Sequence, residues 1–485
     1  GMMDRSTTNQ PSLIASLTLA MTISLFSCSP RPAFENILVV SVDTLSRSSL
    51  RAFNPQATPL PALDRFASES IRFTNAYTAA SWTLPAHISL FTGLYPDRHG
   101  TTHRDNELLP GIPTLAIAMK SAGFETVAFT DEGYLHRKFG FGRGFDRYDD
   151  WRAEPSSVTT VIPRDGKPHD TRGQDMFDRG IAYLSSRESG DPGFFLFLHT
   201  YAVHDYYRVH PWAARRVPGA SEGGFEYLSE CVADVGRCSE ADWELLESLY
   251  QAELFYLDEW LGRLLSTMED RGLLDSTLII LVSDHGEGFD LERGRINHAG
   301  RLHEDLVRVP VLMRGPGVIA REEPAHLSLV DIMPTLLAFC SAPAAANVDG
   351  INMSDRILAD TASVPSPPDR TLYAMEHTYW WEDGKLRTAS TPRQRTMALA
   401  VITGDHWYIA HHTEEELYDM KVDPRQSDNV APSTSDLSKY RRSAGERFTY
   451  QTAGARRAFD AEMDQQLRAL GYVEWAGCTC VVSRK

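Results

Sequence analysis

The sequence predicts an α/β fold: a doubly wound, mostly parallel sheet flanked by helices, followed by a smaller C-terminal α+β domain with a short antiparallel sheet. Three observations predict it. Short apolar runs, such as Ile37-Leu38-Val39-Val40-Ser41-Val42 and Thr277-Leu278-Ile279-Ile280-Leu281-Val282, have the near-continuous hydrophobicity of strands buried on both faces. Helical patterns alternate with those runs. Polar residues capable of chemistry, Asp43, His199, Asp284 and His285, stand where the runs end. Open α/β sheets bind ligands at that edge.

The elements follow in order. Residues 1–28 read as a leader, with Gly1 ahead of Met2 as an added residue. Residues 13–26 are mostly apolar but too short for a comfortable membrane span. An α/β domain is expected over 35–345. Its first strand ends on Asp43. Residues 61–68 read as a short helix, followed by extended Ile71-Arg72-Phe73. A helix over 85–94 opens just after Thr83, with Pro85 near its first turn. Residues 114–122 read as helix and 126–130 as strand. The stretch 151–170 is polar with scattered Pro and reads as an excursion loop. Residues 175–186 read as helix, 194–198 as a strand ending on His199, and 240–270 as a long amphipathic helix. The next strand ends at Ser283-Asp284-His285. Composition changes after about Pro343, and 362–370 is rich in Pro and Ser. A smaller domain is expected over 346–475, with an antiparallel strand pair in 396–410, a closing helix over 456–470 and a tail over 476–485. No internal repeat is visible.

The 485 residues suffice for a large core, and 42% hydrophobic and 23% charged residues are ordinary for a globular protein. A formal net charge of -17 argues against a nucleic-acid binder, because phosphate backbones are held by excess Lys and Arg. Beyond the leader, no stretch is long and apolar enough to span a bilayer. Cys231 and Cys238 flank a short polar loop and could pair; Cys478 and Cys480 sit in the tail. None of the cysteines has zinc-finger spacing with His.

Asp43, Asp284 and His285 offer two carboxylates and an imidazole at strand ends, a plausible divalent-metal site. The alternative is that each caps a loop. Thr83 lies at a helix start, where backbone N–H groups favour an anion. Coordination to the metal would lower its pKa and make it a nucleophile. The plainer alternative is an N-cap Thr. His204 follows the His199 strand end, and Asp205 or another carboxylate could orient it as a general acid. His298 and His303 follow shortly after His285 and are further candidates, each with a structural alternative.

Several ordered stretches resemble the sulfatases and their hydrolase relatives in the alkaline phosphatase superfamily. The resemblance runs from Asn36 to about Val473. Val42-Asp43-Thr44-Leu45 and Ser283-Asp284-His285-Gly286-Glu287 look like the two metal-binding strand ends. Pro61-Ala62-Leu63-Asp64 resembles the start of the helix before the nucleophile. Thr83, Pro85 and His87, followed by Thr92-Gly93-Leu94-Tyr95-Pro96 and Arg98-His99-Gly100, are similar to the family signature. Arg308-Val309-Pro310, Asp331-Ile332-Met333-Pro334-Thr335, Leu417-Tyr418-Asp419, Asp423-Pro424 and Leu470-Gly471-Tyr472-Val473 resemble later landmarks.

The departures from that pattern are informative. Sulfatases usually carry a Cys or Ser at the Thr83 position, oxidised to formylglycine; the extra methyl of Thr would leave a ketone. An Arg usually stands where His87 is, and a second Asp where Thr44 is. A Gly-Lys-Trp-His-like stretch has become Thr130-Asp131-Glu132-Gly133. The Lys expected before Arg308-Val309-Pro310 is missing, with His298, Arg301 and His303 nearby instead. By this resemblance the substrate-binding set is His87, His298, Arg301 and His303, and Thr83 joins Asp43, Asp284 and His285 at the metal. Superfamily relatives with a Thr nucleophile act on phosphate esters. The resemblance therefore implies a metal-dependent hydrolase of sulfate or phosphate esters, with one divalent ion, calcium, manganese or zinc. The alternatives are an envelope phosphoryl-group transferase on the same fold, or a surface binding protein that kept the fold and lost the chemistry. Leu25-Phe26-Ser27-Cys28 resembles the lipobox of bacterial lipoproteins, which implies export to the periplasm or cell surface with a lipid anchor at Cys28 as the sole membrane contact. An ordinary cleaved signal peptide is the other reading.

Overall fold

The computed structural model describes residues 33–131, 133–150, 172–220, 228, 230–232, 234–343, 345–359, 370–382, 385–388, 398–411, 414–448 and 455–456. The leader, the excursion loop over 151–170, the tail and the possible anchor at Cys28 lie outside them.

The first strands in chain order are β1 (Asn36–Val42), β2 (Ile71–Tyr77), β3 (Asn106–Glu107), β4 (Glu125–Thr130), β5 (Arg147–Asp150), β6 (Phe194–Thr200) and β7 (Thr277–Ser283). There follow β8 (Gly288–Asp290), β9 (Arg295–Asn297), β10 (Val311–Arg314) and β11 (Arg321–Ser328). Eight of them form one sheet in the order β11-β2-β10-β7-β1-β6-β4-β5. Every neighbouring pair is parallel except those of β10, which runs antiparallel to both β2 and β7.

β1 is buried along its whole length because it serves two cores. Ile37 and Val39 face one, with Leu84 and Ile88 of the Thr83–Thr92 helix, Leu115 and Met119, and Leu336. Leu38, Val40 and Val42 face the other, with Leu63, Phe177, Leu257 and Trp260. Helices therefore cover both faces, as the unbroken apolar run requires. Each Val, Ile or Leu so placed contributes roughly 1.5–3 kcal/mol of burial.

The Glu240–Asp270 helix matches its expected bounds. Ser239 accepts from the Asp242 N–H while the Asp242 carboxylate accepts from the Ser239 N–H, a complete capping box. Its buried residues Trp243, Leu246, Leu249, Tyr250, Leu257, Trp260, Leu261, Leu264 and Met268 recur at helical spacing. Among the described residues no helix is long and apolar enough to cross a membrane.

The C-terminal region carries β12 (Leu372–Glu376), the hairpin β13 (Tyr379–Glu382) and β14 (Lys385–Thr388), β15 (Ala398–Thr403), β16 (His406–His411) and β17 (Glu415–Asp419). A four-stranded antiparallel sheet has the order β12-β15-β16-β17 and contains the expected strand pair. Cys231 and Cys238 form a disulfide.

Two expectations needed adjustment. The helix over 85–94 begins two residues early, so Thr83 is its first residue rather than its predecessor. Arg456 lies not in a helix but in a short strand, β18 (Ala455–Arg456), paired with β3. The rest of the expected closing helix lies outside the described residues.

Candidate active site

The site assembles where β6, β1 and β7 end together. Ser41 is level with His199 on one side and Val282 on the other; Val42 is level with Thr200 and Ser283. The next residue on each flank, Asp43 and Asp284, therefore emerges at one edge. The chain then turns sharply: Thr44 has φ 55°, unusual for a β-branched residue. Its N–H reaches Asp284 Oδ1 at 3.4 Å, and its carbonyl accepts from the Tyr250 hydroxyl at 2.8 Å. Tyr250 Oη also accepts from the Ser46 N–H at 2.9 Å. The long helix thus fixes the turn that aims Asp43.

Asp43, Asp284 and His285 are buried, with one ligand atom of each lying within 4.8 Å of the others. The His285 Nδ1–H donates to the Gly286 carbonyl at 3.1 Å, which leaves Nε2 as a lone pair 3.4 Å from Asp284 Oδ2 and 3.6 Å from Asp43 Oδ1. Among the described residues those two carboxylate oxygens have no hydrogen-bond partner. Three acceptors facing one another in a buried pocket repel unless a cation or a proton lies between them. Burial, with the Asp284 charge beside it, pushes the Asp43 carboxyl well above its usual range, and burial pushes Asp284 up to about 8. A divalent ion with mixed oxygen and imidazole ligands fits this donor set.

Thr83 stands at the rim. Its hydroxyl donates to Asp43 Oδ2 at 2.9 Å and lies 3.5 Å from His285 Nε2. The helix has no side-chain N-cap at Trp82, and the Thr83 hydroxyl is directed at the acidic pair. All four residues assigned to the metal from sequence are therefore brought together.

His87, one turn along the same helix, is wholly buried. Its Nδ1–H donates to the Thr83 carbonyl at 2.9 Å, so Nε2 accepts from the Ser41 hydroxyl at 2.8 Å. Nδ1 also lies 3.5 Å from Asp284 Oδ2. Burial pushes its pKa down to about 4, so the ring is neutral at pH 7. It pegs the Thr83–Thr92 helix to β1. His199 stacks edge-on against it at 4.9 Å and lies 3.6 Å from Asp43 Oδ2.

A second group flanks the first. His204 Nδ1 bonds Asp205 Oδ1 at 2.8 Å, as the sequence suggested. His298 Nδ1 bonds Glu287 Oε2 at 3.0 Å, and its ring lies 5.0 Å from that of His204 and 4.8 Å from that of His285. His204 and His298 thus stand beside the acidic centre. Arg301 and His303 are engaged differently. Arg301 donates to Asp305 Oδ1 at 2.6 Å and to the Asn297 carbonyl at 2.9 Å. His303 bonds Glu416 of β17 at 2.9 Å. Both brace the loop that carries His298.

Sequence reading missed Ser41 and Glu376, and quoted Glu287 only within the second strand end, without a role. Ser41 sits inside an apolar run, and only the strand's period of two hints that it shares a face with Asp43. Glu376 had no local signal at all. Asp131, where the family pattern has cations, accepts from the Tyr201 N–H at 3.1 Å and places another acid at this sheet edge. Beside Glu287 opens a cavity of about 640 Å³ with Ser46, Asn54, Gln56, Gln251 and Arg425 in its wall.

Comparison with known proteins places these features in a family. A family model described as Sulfatase matches residues 35–341. Arylsulfatase K of Rattus norvegicus is 24% identical over 449 residues, covering 83% of this chain and 76% of its own. Choline-sulfatase of Rhizobium meliloti (strain 1021) is 26% identical over 457 residues, covering 82% of each. The solved structure of a 2-O GAG sulfatase superposes with a TM-score of 0.67 at 18% identity, covering 86% of this chain and 92% of that one.

Proposed function

The chain belongs to the sulfatase family and is a sulfatase-like ester hydrolase, and from that premise we propose that it cleaves sulfate or phosphate esters with Thr83 as the nucleophile. The observation that carries this is the Thr83 hydroxyl hydrogen-bonded to Asp43 at 2.9 Å, at the rim of the acidic cluster. Asp43, Asp284, His285 and Thr83 would hold one divalent ion, calcium, manganese or zinc. When bound, the ion supplies positive charge that favours the ionised hydroxyl and neutralises the transferred group. Thr83 Oγ1 attacks sulfur or phosphorus and gives up its proton toward Asp43. The bond to the leaving alcohol breaks, and His204, in the imidazolium form that Asp205 favours, supplies that alcohol's proton. Water then cleaves the threonine ester. His298 borders the same space and is the substrate-binding residue the contacts favour; His87, Arg301 and His303 act behind it. The Cys231–Cys238 disulfide supports an exported protein, periplasmic or at the cell surface.

The test is an ester panel. Aryl sulfate, aryl phosphate and an aryl phosphodiester are offered with calcium, manganese or zinc. Turnover is expected for at least one pair, and Thr83→Ala is expected to abolish it. Undiminished turnover in that variant overturns Thr83 as nucleophile. Recovery of the group on an added glycerol-like acceptor identifies a transferase instead. No turnover and no bound metal identifies a binding protein.

A further inference from the structure

We propose that Glu376 is a positioning residue that sets the Thr83 end of the site from the small C-terminal sheet; this rests on the reading of Thr83 as nucleophile. Glu376 is the last residue of β12 and is fully buried. Its Oε1 accepts the N–H groups of His377, Thr378 and Tyr379 at 2.9, 2.8 and 3.0 Å. Its Oε2 accepts the Ser81 hydroxyl at 3.0 Å and the Gly300 N–H at 3.2 Å. Donors from three separate segments therefore converge on one buried carboxylate.

Each segment leads to the reacting groups. Ser81 lies two residues before Thr83. Gly300 lies two residues after His298, and the Ala299 N–H donates to the Ser81 carbonyl at 3.1 Å, so these segments are pinned to each other twice. The loop needs such pinning: Asn297, Ala299 and Gly300 have φ of 58°, 62° and 71°. Left-handed backbone at a non-glycine residue costs of order 1 kcal/mol and persists only where its surroundings hold it. The third segment delivers Tyr379 edge-on against Trp82, Thr83's neighbour, with ring centroids 5.2 Å apart. Tyr134 meets Trp82 at the same distance. A carboxylate that only closed its own turn would need Oε1 alone; Oε2 is spent wholly on the two segments that carry Thr83 and His298.

Glu376→Gln separates the two roles. Its single oxygen can still serve the three turn N–H groups. Its NH2 then faces Ser81, whose hydroxyl can turn to accept, and the Gly300 N–H, which cannot. The experiment compares Glu376→Gln, Ser81→Ala, their double variant and Thr83→Ala in the full chain. It measures kcat and KM on the active ester, bound metal, melting temperature and amide hydrogen exchange. Glu376→Gln is expected to fold, keep its metal, lose between about 10- and 100-fold in kcat, and change KM by less than about threefold. Exchange should quicken over 297–301 and not over 377–379. The double variant should be no slower than Glu376→Gln alone. Wild-type kcat and exchange in Glu376→Gln, with Thr83→Ala inactive, overturns the positioning role and leaves the nucleophile standing. Undiminished turnover in Thr83→Ala overturns the reading beneath it. A kcat loss that merely tracks lost metal or a collapsed melting temperature also overturns it. Should Glu376→Gln not fold, Ser81→Ala decides: a lower kcat at unchanged KM and melting temperature supports the role, and an unchanged kcat ends it.

Discussion

At the scale of single residues, Thr83 and His87 share one helix turn, the first proposed as the nucleophile and the second pinning the helix to β1. Thr83→Ala should cut turnover by at least about 1,000-fold with metal still bound, because a nucleophile acts as a unit with its partners. Thr83→Ser keeps the hydroxyl and should stay within about tenfold of wild type, read by kcat on the best ester. His87 makes a pH prediction. Its ordinary pKa of 6.5 falls to about 4 in the fold because burial disfavours its charge. A depressed imidazole means that the unfolded chain takes the proton first. The stability it contributes is thus complete above about pH 6.5 and is lost as pH falls toward 4. Urea midpoints measured from pH 7 to 4 should fall less steeply in His87→Gln than in wild type; parallel slopes would show that this ring is not the source.

At the scale of elements, the small sheet is clamped to the site by charged hydrogen bonds as well as by apolar packing. Glu416 of β17 accepts from His303 and His411, both at 2.9 Å, and from the Tyr418 hydroxyl. Burial opposes its ionisation, but those donors outweigh burial and hold its pKa far below the ordinary 4.5. A depressed carboxyl stabilises the fold above that ordinary value and loses its contribution as pH falls. Glu416→Gln should lower stability by about 1–3 kcal/mol at neutral pH, since buried donors are left with a poorer acceptor. The loss should shrink in acid, as followed by chemical denaturation. Strands with continuous apolar runs and the long helix over 240–270 were legible from sequence because their signal, a hydrophobic period, is local. The antiparallel direction of β10 was not, because Val311–Arg314 reads the same in either direction. Asp43, Thr83, Asp284 and His285 were legible by type and by position at strand or helix ends. Glu376 and Ser41 were not, because their roles exist only once distant segments have met: Ser41 with His87, 46 residues on, and Glu376 with Ser81, 295 residues back.

At the scale of the whole molecule, a metal held by the acidic centre would couple to stability. Asp284 rises to about 8 because burial disfavours its charge. A raised carboxyl contributes stability that is present below its unfolded value and lost as pH climbs through the folded one. Protein treated with chelator should therefore weaken between about pH 4 and 8, and a divalent ion should reverse the loss. At 100 times its Kd the ion should add about 2.7 kcal/mol. Melting curves at pH 8 with and without chelator check this; identical curves would argue that no ion binds at these carboxylates.

The placement of β1 between β6 and β7 has a consequence in time. The bond from the Ser283 hydroxyl to the Val42 carbonyl closes a span of 241 residues. At a synthesis rate of about 5–20 residues per second, the first strand would wait roughly 10–50 s for its last neighbour. Throughout that wait its apolar residues have an unpaired edge, the condition that invites aggregation and the attention of chaperones. A nascent chain halted before Thr277 carries Asp43 and Thr83 without Asp284 or His285, so the acidic cluster cannot assemble until β7 has been made.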